Sequence, residues 1–153
     1  MAFQRTLVLL KPDAVERRLV GELLARLERT GLSLAALELR RTDRDFAGHH
    51  YGPEIARRHG EQVRNALLDF LCRGPVVAMV WEGNNAVETI RQVGGEHFEP
   101  GKCPPGSIRR DYCTDSADLA NAEGRAIENL IHTSDSPETA AAEVALWFPD
   151  LAP

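Results

Sequence analysis

Apolar and polar positions fall into blocks whose period changes along the chain. Residues 5–12, RTLVLLKP, form an unbroken apolar run closed by Lys-Pro, which predicts a largely buried strand. In 15–31, VERRLVGELLARLERTG, residues Leu19, Val20, Leu23, Leu24 and Leu27 share one helical face and Gly31 supplies a stop. LSLAALELRR (32–41) alternates imperfectly and predicts a second strand. From Asp43 to Cys72 the pattern is helical, in two or three pieces broken near Gly52-Pro53 and Gly60. VVAMVWEG (76–83) is a third strand, and NNAVETIRQVGG (84–95) a helix that opens on a candidate Asn N-cap and stops at paired glycines.

Residues 95–126 break the rhythm. They are rich in Gly, Pro, Asp and Ser without a clear period, and a stretch of that length inside a compact domain is uncommon unless it is functional. AIENLIH (126–132) predicts a short strand. Ser136-Pro137-Glu138 then opens a last helix whose apolar face is Val144, Trp147 and Phe148. With no internal repeat or linker, the 153 residues predict one domain over 1–153. Two βαβ-like halves suit an α/β (α+β) ferredoxin-like βαββαβ fold, a four-stranded antiparallel sheet with helices on one face. Pattern alone leaves a small flavodoxin-like sheet as the alternative.

Composition narrows the function classes. A net charge of −5 gives no bulk attraction to nucleic acid or membrane, so any anion site must be assembled from a few local cations. Cys72, Cys103 and Cys113 are odd in number and contain no CxxC pair, which fits a reducing cytoplasm. The opening apolar run stops at Lys11, too early for a signal-peptide core, and no stretch is long enough to span a membrane.

Neither backbone phosphate cradle, GxxxxGK(S/T) or GxGxxG, is encoded, so phosphate handling would fall to side chains. Lys11 ends the first strand, Arg91 lies on a helix, and Arg109 follows a glycine in the long loop; taken singly, each is an ordinary surface charge. His132, closing an apolar strand, is by itself more often structural than catalytic. Its surroundings raise the second reading: Asn129 stands three residues before it, Ser134 two after, and Glu143 on the next helix. A hydroxyl or carboxylate orienting the ring is the usual companion of a catalytic histidine. Asn129 and His132 are an odd number apart, so both line one site only if the chain leaves regular strand geometry between them.

Taken together, RTLVLLKPDAVERRLVGELLARLERTGL, HHY, GPVVAMVWEG, PPGSIRRDY and NLIHTSDSPETAAAEVALWF resemble the nucleoside diphosphate kinases, in order and spacing. The likeness covers most of the chain apart from 52–62 and about 114–126. It implies ping-pong transfer of the γ-phosphate from a nucleoside triphosphate such as ATP to a nucleoside diphosphate. The phosphate would travel on a phosphohistidine at His132, with Mg2+ carried by the nucleotide phosphates rather than by protein ligands. It implies that Lys11 contacts the phosphate and sugar hydroxyl, Tyr51 the phosphoryl position, Arg91 and Arg109 the phosphates, and Asn129 the ribose, while Ser134 and Glu143 hold the ring. It also implies a homo-oligomer.

Two residues depart from the family. Val63 stands where the family stacks a phenylalanine on the base, and His97 where it has a phosphate-contacting threonine, so both are candidate nucleotide-binding positions with altered chemistry. Phe98 or His59 is the expected replacement ring. These changes keep a second reading in view, a catalytically weak or inactive nucleotide-binding regulatory paralogue. Nucleic-acid binding is disfavoured by the acidic balance and the absence of a basic stripe.

Overall fold

Four strands account for the sheet in the computed structural model, which describes residues 2–151. The reading of one domain over 1–153 includes Met1, Ala152 and Pro153, which lie outside the described residues. Strand order is β2 (Ser33–Arg40), β3 (Val76–Asn84), β1 (Phe3–Leu10), β4 (Ile131–Thr133), and every neighbouring pair is antiparallel. This is the expected ferredoxin-like sheet.

One expectation is corrected: helices cover both faces of the sheet. On one face Val8, Leu10, Val77, Met79 and Trp81 pack against Leu23 and Leu27 of α2 (Val20–Glu28) and Ile90 of α6 (Ala86–Gly94). On the other, Leu7, Leu9, Ala78 and Val80 pack against Leu68 and Leu71 of α5 (Glu61–Cys72) and Val144 and Trp147 of α9 (Pro137–Trp147). The reason is legible in β1 and β3. A one-sided sheet alternates apolar with polar residues, whereas these central strands are apolar on both faces. Truncating a buried leucine of β1 to alanine costs about 2–5 kcal/mol.

The helix read over 15–31 is two helices. Pro12 sits at the first position of α1 (Pro12–Glu16), and the chain then turns through Arg18, whose φ of 59° is left-handed, before α2 begins. The leucine periodicity starts only at Leu19, so the apolar face belongs to α2. The three pieces between 43 and 72 form as read: α3 (Arg44–His50), capped by the Asp43 side chain; α4 (Pro53–His59); and α5. Gly60 joins the last two at φ 95°, where a side chain would be strained. Asn85 occupies the N-cap position of α6 but makes no side-chain cap; it contributes a tolerated left-handed φ of 50° instead.

The long loop is not structureless. It holds α7 (Ile108–Tyr112), capped by Ser107, and α8 (Ala117–Ala122), capped by Ser116. Asp115 takes Arg125 through both carboxylate oxygens (2.7 and 3.1 Å) and accepts the Glu128 N–H, closing the inserted segment on itself. Strand β4 is shorter and later than the 126–132 expected, because residue Leu130 has a φ of 71° and only Ile131, His132 and Thr133 pair with β1. Ser136 caps α9 and Pro137 occupies its first turn, as read. Among the described residues no helix is long and apolar enough to cross a membrane.

Candidate active site

His132 lies opposite Leu9 in the β1–β4 ladder, between the buried residues Ile131 and Thr133. Its Nε2 meets Glu143 Oε1 at 3.0 Å, and Ser134 Oγ donates to the same oxygen at 2.7 Å. Ser134 is itself fixed to β1, accepting the Leu7 N–H at 3.2 Å. Burial alone would raise the Glu143 carboxyl, but the charge of the His132 ring and its hydrogen bond outweigh it and hold the group below its ordinary range. An ionised carboxylate only accepts, so Nε2 carries a proton in either state of the ring, and in the neutral ring Nδ1 keeps the lone pair. The strand that buries its neighbours thus presents one imidazole with a defined free nitrogen.

The end of β1 supplies the first cation. Lys11 is buried, and its Nζ donates to Asn129 Oδ1 at 2.8 Å, while Asn129 Nδ2 donates to the Phe98 carbonyl at 2.7 Å. Burial, with the Arg109 charge nearby, lowers the Lys11 ammonium from 10.5 to about 7. An ammonium under that pressure is one that a bound anion would stabilise. Asn129 reaches the site because the chain kinks at Leu130. There Lys11 N donates to Leu130 O at 2.8 Å, and Leu130 N donates to Asp13 Oδ2 at 3.0 Å. The sequence-level condition that regular strand geometry fail between Asn129 and His132 is met at that residue.

Arg109, also buried, spans from α7 to the strand. Its guanidinium donates to the carbonyls of Ile131 (2.5 Å), His97 (2.9 Å) and Gly95 (3.2 Å), while its Nε is buried without a hydrogen-bond partner among the described residues. Burial pulls its pKa below the ordinary value, and the nearby Arg91 charge acts in the same direction. Arg91 donates to the Glu96 carbonyl at 3.0 Å and lines a cavity of about 390 Å³ with Glu88, Asp135 and Ser136. Arg109 therefore lies within electrostatic reach of both Lys11 and Arg91, in a chain that is net acidic.

Not every residue named from sequence joins this cluster by its side chain. Tyr51 does: its ring meets that of His50 edge-on at 4.7 Å, and burial together with the Glu143 charge pushes its hydroxyl above the ordinary value. His97 does not. Its ring stacks on Phe98 at 4.4 Å, its Nδ1 accepts the Glu99 N–H, and it meets the cluster through its carbonyl to Arg109. Val63 is exposed on α5, one turn before Ala66 and two before Phe70. Ala66 and Phe70 line a separate cavity of about 210 Å³ with Asp69, Arg73 and residues 124–126 of the inserted segment. Phe70 ties that cavity to the cluster, because Lys11 Nζ lies 5.8 Å from its ring centre. His59 is exposed at the end of α4.

Two residues of the site were not singled out from sequence. Asp13 lies within the LLKPD block and braces the Leu130 kink. His50 is nearly inaccessible, with 1% of its side chain exposed, and packs edge-on against His132 at 4.5 Å between ring centres. Its signal was available: Phe46, Ala47 and His50 are spaced to share one face of α3, whereas exposed His49 is not.

The arrangement brings an imidazole with one uncommitted ring nitrogen, a buried lysine, a buried arginine and an amide to the end of a sheet. A family model described as nucleoside diphosphate kinase matches residues 4–152, including both segments that the motif likeness leaves out. A nucleoside diphosphate kinase of Mycobacterium sp. (strain MCS) is 47% identical over 146 residues, covering 95% of this chain and 97% of that protein. That of Saccharopolyspora erythraea is 46% identical over 149 residues, covering 97% and 98%. Among solved structures, a transition-state mimic of the Borrelia burgdorferi nucleoside-diphosphate kinase with vanadate and ADP superposes with a TM-score of 0.92 at 37% identity. It covers 98% of this chain and 89% of that one. An NDP kinase from Pyrobaculum aerophilum gives 0.87 at 34% identity, with 96% of each chain covered.

Proposed function

The chain belongs to the nucleoside diphosphate kinase family and is a phosphotransferase, and from that premise we propose that the phosphoryl group travels on Nδ1 of His132. The carrying observation is the 3.0 Å contact from His132 Nε2 to Glu143. It leaves one ring nitrogen committed to a carboxylate and the other with its electron pair.

In the first half-reaction the Nδ1 lone pair attacks the γ-phosphorus of a nucleoside triphosphate such as ATP. The bond from that phosphorus to the bridging oxygen breaks, and the diphosphate leaves with the electron pair. Nε2 keeps its proton on Glu143, which balances the positive charge on the substituted ring. In the second half-reaction the terminal oxygen of another diphosphate attacks the same phosphorus and the lone pair returns to Nδ1. Positioning and positive charge carry most of the barrier reduction in such transfers. Lys11, Arg91 and Arg109 supply that charge, Tyr51 borders the phosphoryl position, and Asn129, hydrogen-bonded to Lys11, meets the ribose.

Mg2+ would enter with the nucleotide as part of the substrate and supply neutralising charge to its phosphates. Among the described residues, the group of three metal-capable side chains is His50, His132 and Glu143. Two nitrogens and one oxygen are a poor match for a cation that prefers six oxygens. The base lies in the 210 Å³ cavity beside Phe70, with residues 124–126 of the inserted segment as its far wall; Val63 is exposed one turn before Ala66 on α5. The free Cys72, Cys103 and Cys113 support a cytoplasmic location. Leu34, Leu37 and Leu39 are exposed on the edge strand β2, which supports assembly with further copies along that edge.

Initial-rate kinetics test the relay. Varying MgATP at several fixed GDP concentrations should give parallel double-reciprocal lines, the pattern of two half-reactions sharing one site. Intersecting lines would show that both nucleotides bind before transfer.

A further inference from the structure

Behind His132 lies a second imidazole that the transfer described above does not use. His50 is wedged between Tyr51 and His132, with ring centres 4.7 and 4.5 Å away, both edge-on. Trp147 of α9 donates its indole N–H to His50 Nδ1 at 3.1 Å, and the two rings also meet edge-on at 5.6 Å. Glu143 Oε2 lies 3.7 Å from the same Nδ1, beyond hydrogen-bond distance. His50 Nε2 is buried and has no partner among the described residues.

The chemistry of this contact is asymmetric. An indole N–H only donates, so Nδ1 must accept, and the His50 proton sits on Nε2. The side of His50 that faces Glu143 therefore presents a lone pair instead of an N–H. Were that proton on Nδ1, it would face the second oxygen of the carboxylate that holds His132. An unpaired buried N–H is unfavourable, so the fold carries Nε2–H at a penalty while reserving Glu143 for His132 and Ser134.

We propose that His50 is a positioning residue for phosphoryl transfer, with Trp147 fixing its tautomer so that Glu143 stays committed to His132 and the two rings lock edge to face. Three charged groups bear on its ionisation, His132 on β4, Glu143 on α9 and Lys11 after β1, and the Tyr51 phenol after α3 packs against its ring. Burial, then the His132 charge, lowers His50 to about 3, opposed by Glu143, so it stays neutral wherever the enzyme is folded and working. This inference rests on His132 being the phosphate carrier, but its geometry can be tested without any transfer.

Imidazole 15N NMR of the histidine-labelled protein reads tautomers directly. The wild-type protein should show His50 as the neutral Nε2–H tautomer from pH 5 to pH 8; an Nδ1–H tautomer, or protonation within that range, would overturn the proposal. Trp147→Phe keeps an aromatic ring but removes the donor. It should release the single tautomer of His50 and slow His132 phosphorylation by MgATP about tenfold, the scale typical of partners that orient a reacting histidine. The nucleotide concentration at half-maximal rate should not change. His50→Gln, whose side-chain oxygen accepts from Trp147, should keep more of the rate than His50→Ala. Folded variants with wild-type rates and an unchanged His132 tautomer would refute the positioning role. Absence of His132 phosphorylation in the wild type would instead refute the relay, leaving the tautomer measurement to judge His50.

Discussion

Asp13 accepts the backbone N–H of Leu130 at 3.0 Å, and Leu130 holds a left-handed φ of 71°. That conformation costs a non-glycine residue about 1–2 kcal/mol, and the KPD turn grips it from both sides, since Lys11 N also donates to Leu130 O. The kink is what lets Asn129 and His132 address one site. Asp13→Ala should orphan a buried N–H, lowering stability by about 1–3 kcal/mol and reducing turnover together. Asp13→Asn keeps an acceptor oxygen and should recover most of both. Thermal unfolding and steady-state rates check this; an unaffected Asp13→Ala enzyme would show that the kink holds without its brace.

Lys11 makes nucleotide binding depend on pH. Its ammonium is lowered from 10.5 to about 7 by burial and by Arg109. Between those values the unfolded chain binds a proton that the folded protein has lost, so this group's contribution to stability rises with pH through that window. Phosphate favours the charged form, so binding above pH 7 should take up a proton, and affinity should fall by up to about tenfold per pH unit. Calorimetry of MgADP binding in buffers of different ionisation enthalpy measures the uptake. Lys11→Met should bind weakly with no proton linkage, and proton-independent binding by the wild type would contradict the account.

Glu143 has the same sign in a more acidic window. Its carboxyl is held below the ordinary range, so its stabilising contribution is present above that range and lost as pH falls through the folded value. Glu143→Gln should flatten the acid limb of a melting-temperature titration and slow transfer roughly 10–100-fold. A variant that is slow yet keeps the full acid limb would separate the ring-holding role from the ionisation.

The base site carries its own prediction. Val63→Phe should lower the KM for purine and pyrimidine diphosphates alike, by an amount of about 1–3 kcal/mol at most, because stacking is tolerant of base identity. Phe98, whose ring is exposed and stacked on His97, is the other candidate ring. Unchanged diphosphate affinities in Phe98→Ala would remove it.

Much of this was readable in the chain because the signals were local. The unbroken runs in β1 and β3, the glycine at position 60 and the Ser136-Pro137 start each fix a conformation by short-range physics. The motif blocks added the residues of the site, which periodicity alone leaves as scattered surface charges. What escaped was set by tertiary contact. Leu130 is left-handed because Asp13 and Lys11, more than a hundred residues earlier, hold it there. His49 and His50 are adjacent and chemically identical; helical spacing puts His50 on the face of Phe46 and Ala47, but its contact with His132 is made only by tertiary packing. The inserted segment near 114–126 has no clear period, and the closure of its ends comes from one carboxylate, Asp115, gripping Arg125 across it.

The central claim is that His132 carries the phosphate. Incubation with γ-labelled ATP and magnesium, followed by removal of nucleotide, should leave an acid-labile, base-stable label on the protein that added GDP discharges as GTP. The same label should be absent from His132→Ala. An unlabelled wild-type protein, or a His132→Ala variant that labels equally well, would contradict the account.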